Sequence, residues 1–421
     1  MKTSVNSIPP ASRVPRICVL LDLSLSACRE KLRGILRYER LFGPFQLHLP
    51  SLESTQGSQF SFADFDGIIV DCAPLLFHDD WLKRARLPIV LLDYLSPHTP
   101  PFENYGMVRC NGQAIGEMGA KHFLERHFTH FAFLDEASCI NWSIARQRGF
   151  VEYLKSEGFD CQVYADGLPT GTPIKRDMQK LDRWLKNLPK PVALMAANDM
   201  RAHQALHLCA KAGIKVPGEI AVLGVDNDET ICQISDPTLS SIANDNQTGG
   251  YLATELLVGL IRGKPIVKKK RNQNPEKGIE AGQDLQITPP NVQTAFYNPL
   301  YTFLRKSTSI NQNAEPYVQD AFEFIQNNSG ANINVFDVVK RVNVSRRLLE
   351  KQFKKTFGKT ILDIINDVRF QRICMLLLET DLSVTEIAQL IGYESEYYIC
   401  TAFKKRFGKT ILQYRRERKP L

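Results

Sequence analysis

VFDVVKRVNVSRRLLEKQFKKTFGKTIL (335–362) and VTEIAQLIGYESEYYICTAFKKRFGKTIL (384–412) are one pattern written twice. Their closing residues, FKKTFGKTIL and FKKRFGKTIL, agree at nine of ten positions and lie fifty residues apart. Upstream, the apolar positions correspond once the second copy is allowed one extra residue in its turn. Each copy predicts a short helix, a tight turn with a serine cap (Ser345, Ser395), and a longer helix ending at Gly358 or Gly408. A serine hydroxyl ahead of a helix takes up an unpaired backbone N–H, and glycine accepts the left-handed conformation that closes a helix. That is a helix-turn-helix, in duplicate. Between the copies, ILDIINDVRFQRICMLLLE (361–379) is amphipathic and long enough for one connecting helix. Such a helix would hold the two longer helices roughly parallel and about one DNA turn apart.

The longer helices differ on the outside. In the first, Leu348, Leu349 and Phe353 are the apolar positions, which leaves Arg346, Arg347, Glu350 and Lys351 outward. In the second, Tyr398, Ile399, Ala402 and Phe403 are expected inward, leaving Glu396, Tyr397, Cys400 and Thr401 outward. Matched scaffolds with divergent faces imply that two different base sequences are read. Lys354 and Lys404, beside Lys355 and Arg406, lie one turn further on and suit phosphates. Charge agrees: of a net +8, residues 315–421 contribute +5, from 18 basic and 13 acidic side chains. The expected partner is double-stranded DNA.

Upstream of this helical quarter the texture is different. Short apolar runs, ICVLL (17–21), FQLHL (45–49), GIIV (67–70), PIVLL (88–92), FAFL (131–134), VALMA (192–196) and IAVLGV (220–225), alternate with amphipathic stretches. Strands apolar on both faces between helices imply an α/β fold with parallel sheets, and the length suits two linked lobes. We therefore expect a two-lobed α/β domain at 14–297, a polar linker at 298–315 and an all-α double helix-turn-helix domain at 316–421, with 1–13 disordered. The basic tract KKKRNQNPEKGIEAGQ (268–283) reads as a solvated loop.

Polar residues end the runs: Asp22, Asp71, Asp93, Asp135, then Asn198 with Asp199, and Asp226, Asn227 and Asp228. Ligands of open parallel sheets bind beyond the carboxyl ends of the strands. Carboxylates and amides there hydrogen-bond in forked fashion, which suits a neutral polyhydroxylated ligand such as a sugar. A carboxylate between strand and helix is also a common N-cap, so each position alone proves little. Trp142 and Arg146, entering the next helix, strengthen the polar-cleft reading.

Other functions find less support. GKT recurs at 358–360 and 408–410, but Phe353 and Phe403 stand where a phosphate-binding loop needs its first glycine. His203 and His207 are four apart with no third metal ligand suggested, and no nucleophile–base pair can be nominated, so neither an enzyme nor a cofactor or metal is implied. Ten cysteines without a CxxC pair read as reduced core residues of a cytoplasmic protein. No apolar run approaches the ~20 residues of a membrane span.

These residues carry two resemblances. Residues 316–421 resemble the AraC/XylS-type DNA-binding domain, down to S-x-x-L-x-x-x-F in the first unit and G-Y-x-S…F-K-K-x-F-G in the second. Residues from about 16 to 296 resemble the periplasmic-binding-protein-like sugar-binding core of LacI/GalR-type regulators, through A-N-D-M-x-A (197–202), V-P-G-E-I-A-V-L-G-V-D-N-D (216–228) and P-T-L-S-S-I (237–242). The order, sugar core first and AraC-type domain last, is similar to that of the xylose operon regulators. The resemblance implies a sugar-responsive transcription activator that responds to D-xylose or a similar pentose, works as a homodimer and acts beside RNA polymerase. By motif it implies that Arg146, Asn198 and Asp226 contact the sugar, with Trp142 and Asp22 as weaker carry-overs. The tract at 268–283 departs from the family pattern. The competing readings are a cytosolic sugar-binding protein and a regulator of a different sugar.

Overall fold

A computed structural model describes residues 14–50, 61–71, 87–93, 104–136, 141–164, 174–262, 294–309, 314–328, 333–357, 359–380, 382–393, 396–408 and 410–418. The N-terminal segment, the basic tract at 268–283, Ser395 and Gly358 lie outside them.

Every quoted apolar run contributes a strand. The first unit comprises the chain up to Arg109 together with Asn246–Tyr297; the second comprises Cys110–Asp245 and everything from Asn298. The chain thus passes from one unit to the other three times. In the first unit β1 (Arg16–Leu20), β2 (Gln46–His48), β3 (Gly67–Asp71), β4 (Ile89–Leu92) and β5 (Tyr105–Cys110) pair in parallel, in the order β5-β4-β3-β1-β2. β11 (Thr294–Tyr297) adds the outer edge beside β5. Ile68, Ile69 and Val70 are fully buried, so alternate side chains meet cover on both faces, and burial of this kind is what a continuous apolar strand is for.

One layer of that cover is α1 (Ser26–Phe42) packed against α7 (Asn246–Ile261). A β-carbon at Gly34 would collide with the Gln247 carbonyl, and one at Gly250 with the Lys31 carbonyl, so the two helices touch backbone to backbone.

The second unit repeats the topology. β6 (Phe131–Leu134), β7 (Cys161–Tyr164), β8 (Val192–Ala196), β9 (Ile220–Val225) and β10 (Ser240–Asn244) pair in parallel in the order β10-β9-β8-β6-β7. The helices following in this unit are α2 (Gly112–Leu124), α3 (Asn141–Ser156), α4 (Ile174–Asn187), α5 (Asp199–Ala212) and α6 (Glu229–Ile234). The segment expected as a linker, 298–315, is largely part of this unit. β12 (Pro299–Phe303) pairs antiparallel with β10, and the 3-10 turn Lys306–Thr308 follows it into the unit. Ser307 and Thr308 are buried there because hydrogen bonds satisfy them: Ser307 Oγ donates to the Val222 carbonyl at 2.6 Å, and Thr308 Oγ1 to Ser240 Oγ at 2.8 Å.

The helical quarter follows: α8 (Pro316–Asn327), α9 (Val335–Val342), α10 (Arg346–Phe357), α11 (Ile361–Glu379), α12 (Val384–Ile391), α13 (Glu396–Phe407) and α14 (Ile411–Arg418). α9 and α12 are offset by 49 residues and α10 and α13 by 50, so the extra residue lies in the second turn as expected. Asn343 and Gly392 close the short helices in the same left-handed conformation, φ 51° and 79°. α11 serves both units. Its Ile361, Ile364, Ile365 and Val368 join a core with Val338, Leu349 and Phe353, while Ile373, Cys374 and Leu377 join another with Ile387, Ile399 and Phe403.

Candidate functional site

Four of the second unit's parallel strands deliver polar groups at their carboxyl ends. Asp226 follows β9 with φ 98°, and Asn227 follows with φ 50°. Two consecutive non-glycine residues in left-handed backbone are costly, and such strain persists where the surroundings impose it. Here they do. Arg146 on α3 donates from one guanidinium nitrogen to Asp226 Oδ1 at 3.0 Å and from the other to the Ala197 carbonyl at 2.5 Å. Asn244 at the end of β10 donates to the same Oδ1 at 2.8 Å, from the point where the β10–β12 register shifts. Asp226 Oδ2 has no partner among the described residues.

The placement of Arg146 is a packing result. β-Carbons at Gly116 and Gly149 would run into the Arg146 and Gln113 carbonyls, so α2 and α3 cross in backbone contact and Arg146 leaves that crossing toward β9. The Trp142 ring lies 4.6 Å from its guanidinium carbon, one turn earlier on α3. The Arg146 side chain is only 8% exposed and that of Asp226 21%, so the pair is largely desolvated with one carboxylate edge toward solvent.

Asn198 has two uses. Its Oδ1 caps α5 by accepting from Arg201 N at 2.8 Å, and its Nδ2 donates to Glu136 Oε2 at 3.0 Å. Asp199 next to it is buried, accepts from the Asp228 backbone at 2.7 Å and meets Ser241 Oγ at 2.6 Å. Burial, reinforced by the charge of Asp226, pushes its carboxyl up to about 8. Asp135 is likewise raised by burial and bonds Ser143. Sequence reasoning therefore placed Arg146, Trp142, Asn198 and Asp226 in one neighbourhood. It missed Glu136 and Asn244, for which the only sequence signal was their position just after an apolar or serine-rich run.

The first unit's strand-end aspartates are differently engaged. Lys31 of α1 sits between Asp71 at 2.7 Å and Asp93 at 2.5 Å, and Tyr297 donates to Asp93 at 2.7 Å. Burial alone would lower the Lys31 pKa, but the two carboxylates override it and hold the ammonium well above its usual range. Asp22 bonds the backbone N–H and hydroxyl of Ser24 at 3.0 and 2.6 Å, fixing the turn into α1.

On the helical domain Arg346, Arg347, Lys351 and Lys354 are exposed on α10, and Glu396, Tyr397, Thr401 and Lys404 on α13. Four expectations need correction. Leu348 is 40% and Tyr398 62% exposed, because one residue step along the helix turns them about 100° from the buried Leu349 and Ile399. Cys400 is half-buried against the second core. Glu350 is also half-buried and turns away to accept from the Ile361 backbone at 3.3 Å, at the start of α11. Ser345 accepts from Leu348 N at 3.3 Å, the cap expected of it. His203 bonds Ser235 at 2.9 Å, and no cluster of metal-ligating side chains occurs among the described residues.

Comparison with known proteins separates the same two parts. A periplasmic binding protein-like domain matches residues 120–280, and a helix-turn-helix domain matches 338–417. The chain is 30% identical over 360 residues to the xylose operon regulatory protein of Escherichia coli K12, covering 83% of both chains. Its counterpart from Haemophilus influenzae is 29% identical over 83% of this chain and 84% of that one. The structure of the xylose-binding transcription activator xylR matches over 97% of this chain and 100% of its own, with TM-score 0.55 and 26% identity. A LacI-type regulator from Alkaliphilus metalliredigens, solved with D-xylulofuranose, shares the fold over 70% of this chain and 99% of its own at TM-score 0.50 and 15% identity.

Proposed function

This chain belongs to the family of the xylose operon regulatory proteins, and on that premise we propose that it activates pentose catabolic genes with D-xylose as its effector. The observation that carries the reading is the union, in one chain, of the Arg146–Asp226–Asn244 cluster with a duplicated helix-turn-helix whose longer helices both end in exposed lysines. The sugar meets Asp226 Oδ2 and the guanidinium of Arg146, with Trp142 offering an apolar ring and Asn198 a further amide. Asn244 Oδ1, buried without a partner among the described residues, is an acceptor for a sugar hydroxyl. Asp22 is a separate proposal, as a hydroxyl acceptor at the end of β1.

The DNA set is Arg346, Arg347, Lys351 and Lys354 from the first unit and Glu396, Tyr397, Thr401 and Lys404 from the second, with Glu350 and Cys400 at their margins. The regulator acts as a homodimer on paired half-sites, beside RNA polymerase, in the cytoplasm where its operator is. It works by binding and performs no catalysis.

The test is calorimetric titration of the full chain with D-xylose, L-arabinose, D-ribose and D-glucose. Binding of D-xylose in preference to the others is expected. Binding of a hexose alone would overturn the pentose assignment.

A further inference from the structure

The fifty-residue offset between α10 and α13 aligns their side chains one by one, since both begin and end at matching positions. Leu349 and Phe353 correspond to Ile399 and Phe403, all fully buried, so the two helices present the same face to their cores. On the opposite face the last turn shares two lysines, Lys354 and Lys355 matching Lys404 and Lys405, while Arg406 stands where the first helix has Thr356. The first two turns are exchanged. Where the first helix carries Arg347, Leu348 and Lys351, the second carries Tyr397, Tyr398 and Thr401.

Shared lysines beyond a divergent surface separate the contacts that position from those that specify. Guanine presents two acceptors, N7 and O6, to the major groove, and a cationic donor such as Arg347 or Lys351 fits them. The second helix has no such donor in its first two turns. Its one carboxylate, Glu396, a good acceptor for cytosine N4, is held by Thr385 Oγ1 at 2.7 Å. What remains is apolar and aromatic. Tyr397 is 73% and Tyr398 62% exposed, and their rings pack edge to face with centroids 5.9 Å apart. Two braced rings beside a threonine methyl offer a surface for the 5-methyl group of thymine.

Resting on the DNA-binding reading above, we infer that the two helices read different chemistry: α10 reads guanine through Arg347 and Lys351, and α13 reads thymine methyl groups through Tyr397, Tyr398 and Thr401. Each half-site then holds a guanine-bearing element and a thymine-bearing element about one helical turn apart.

Selection of a randomised duplex pool by the full chain in D-xylose tests this directly. The recovered duplexes should show one element of each kind. Replacing deoxythymidine by deoxyuridine in the thymine element removes only the methyl groups and should weaken binding about three- to tenfold per contacted base. Tyr397→Ala and Tyr398→Ala should abolish that sensitivity while keeping the guanine preference, and Arg347→Ala should do the reverse. Guanine in both elements, or indifference to uracil, overturns the inference while leaving DNA binding intact. Failure to enrich any duplex overturns the DNA-binding reading, and the inference with it.

Discussion

Arg146 and Asp226 face each other at 3.0 Å with little solvent between them, so neither can be removed without stranding the other. Truncating one member of a largely desolvated, hydrogen-bonded pair costs about 2–5 kcal/mol of binding where the pair contacts a ligand. Arg146→Ala and Asp226→Ala should therefore abolish the calorimetric sugar signal while operator binding without sugar persists. Asp199 provides a second check, in pH. Its folded carboxyl titrates at about 8, against an unfolded value near 4. Between those values the folded protein holds a proton that the unfolded chain has lost, so stability falls as pH rises through the window and levels off above it. Asp199→Asn removes the charge, keeps one oxygen to accept from the Asp228 backbone and presents an amide donor to Ser241 Oγ. It should be nearly neutral at pH 5 and stabilising at pH 8, as denaturant midpoints at the two values would report. Arg146 and Asp226 were legible in the sequence because each sits in a motif at a strand or helix end. Asn244 was not, because it stands where β10 slips register against a strand from far along the chain, and no local periodicity records that slip.

Three helices of the DNA-binding domain begin with the same device. Asn334 with Asp337, Thr360 with Asp363 and Ser383 with Glu386 each form a reciprocal capping box. The middle one starts α11, on which both cores depend. Thr360→Ala should cost about 1 kcal/mol of domain stability, and a thermal melt following helix signal is the measurement; no change would mean that packing alone sets the start of α11. Elements of this kind were readable, since caps and 3.6-residue periodicity are local. Five strands were not: β5, β7, β10, β11 and β12. β7 is an edge strand with exposed Gln162, and β10 buries Ser240 and Ser241 rather than apolar side chains. Those serines are tolerated inside because their partners come from distant segments: Ser241 meets Asp199, and Ser240 donates to the Arg305 carbonyl at 2.9 Å. A strand buried by hydrogen bonding gives no hydropathy signal.

For the whole molecule, what matters is how sugar binding reaches DNA binding, and Arg305 stands on the route. It lies between β12 and α8 in sequence, yet its guanidinium donates to Asn227 Oδ1 and to the Leu239 carbonyl at 2.9 Å and to Glu229 Oε2 at 2.6 Å, with the Phe303 ring 4.3 Å away. Asn227 is the second of the two left-handed residues that present Asp226. The turn ends at Thr308, and the carbonyl of the next residue, the buried Ser309, accepts from Gln319 of α8, the first helix of the DNA-binding domain. A sequence reading made 298–315 a polar linker because Arg, Lys, Ser and Thr look solvated when their partners are unseen. A flexible tether would transmit little, whereas a segment hydrogen-bonded at both ends can pass on a change in the Asp226 turn. The helical domain, by contrast, keeps its two cores to itself, so residues 310–421 should fold alone, bind a half-site weakly and ignore sugar. Arg305→Lys retains the charge facing Glu229 but loses the planar fork that reaches Asn227 and Leu239 together. Sugar affinity in this variant should stay within about threefold of the parent. The sugar-induced change in operator affinity, about 5–150-fold for ordinary allosteric coupling, should collapse toward one. Operator titrations with and without D-xylose at one fixed salt concentration decide it. Undiminished coupling in Arg305→Lys would mean that the signal leaves the sugar site by another path.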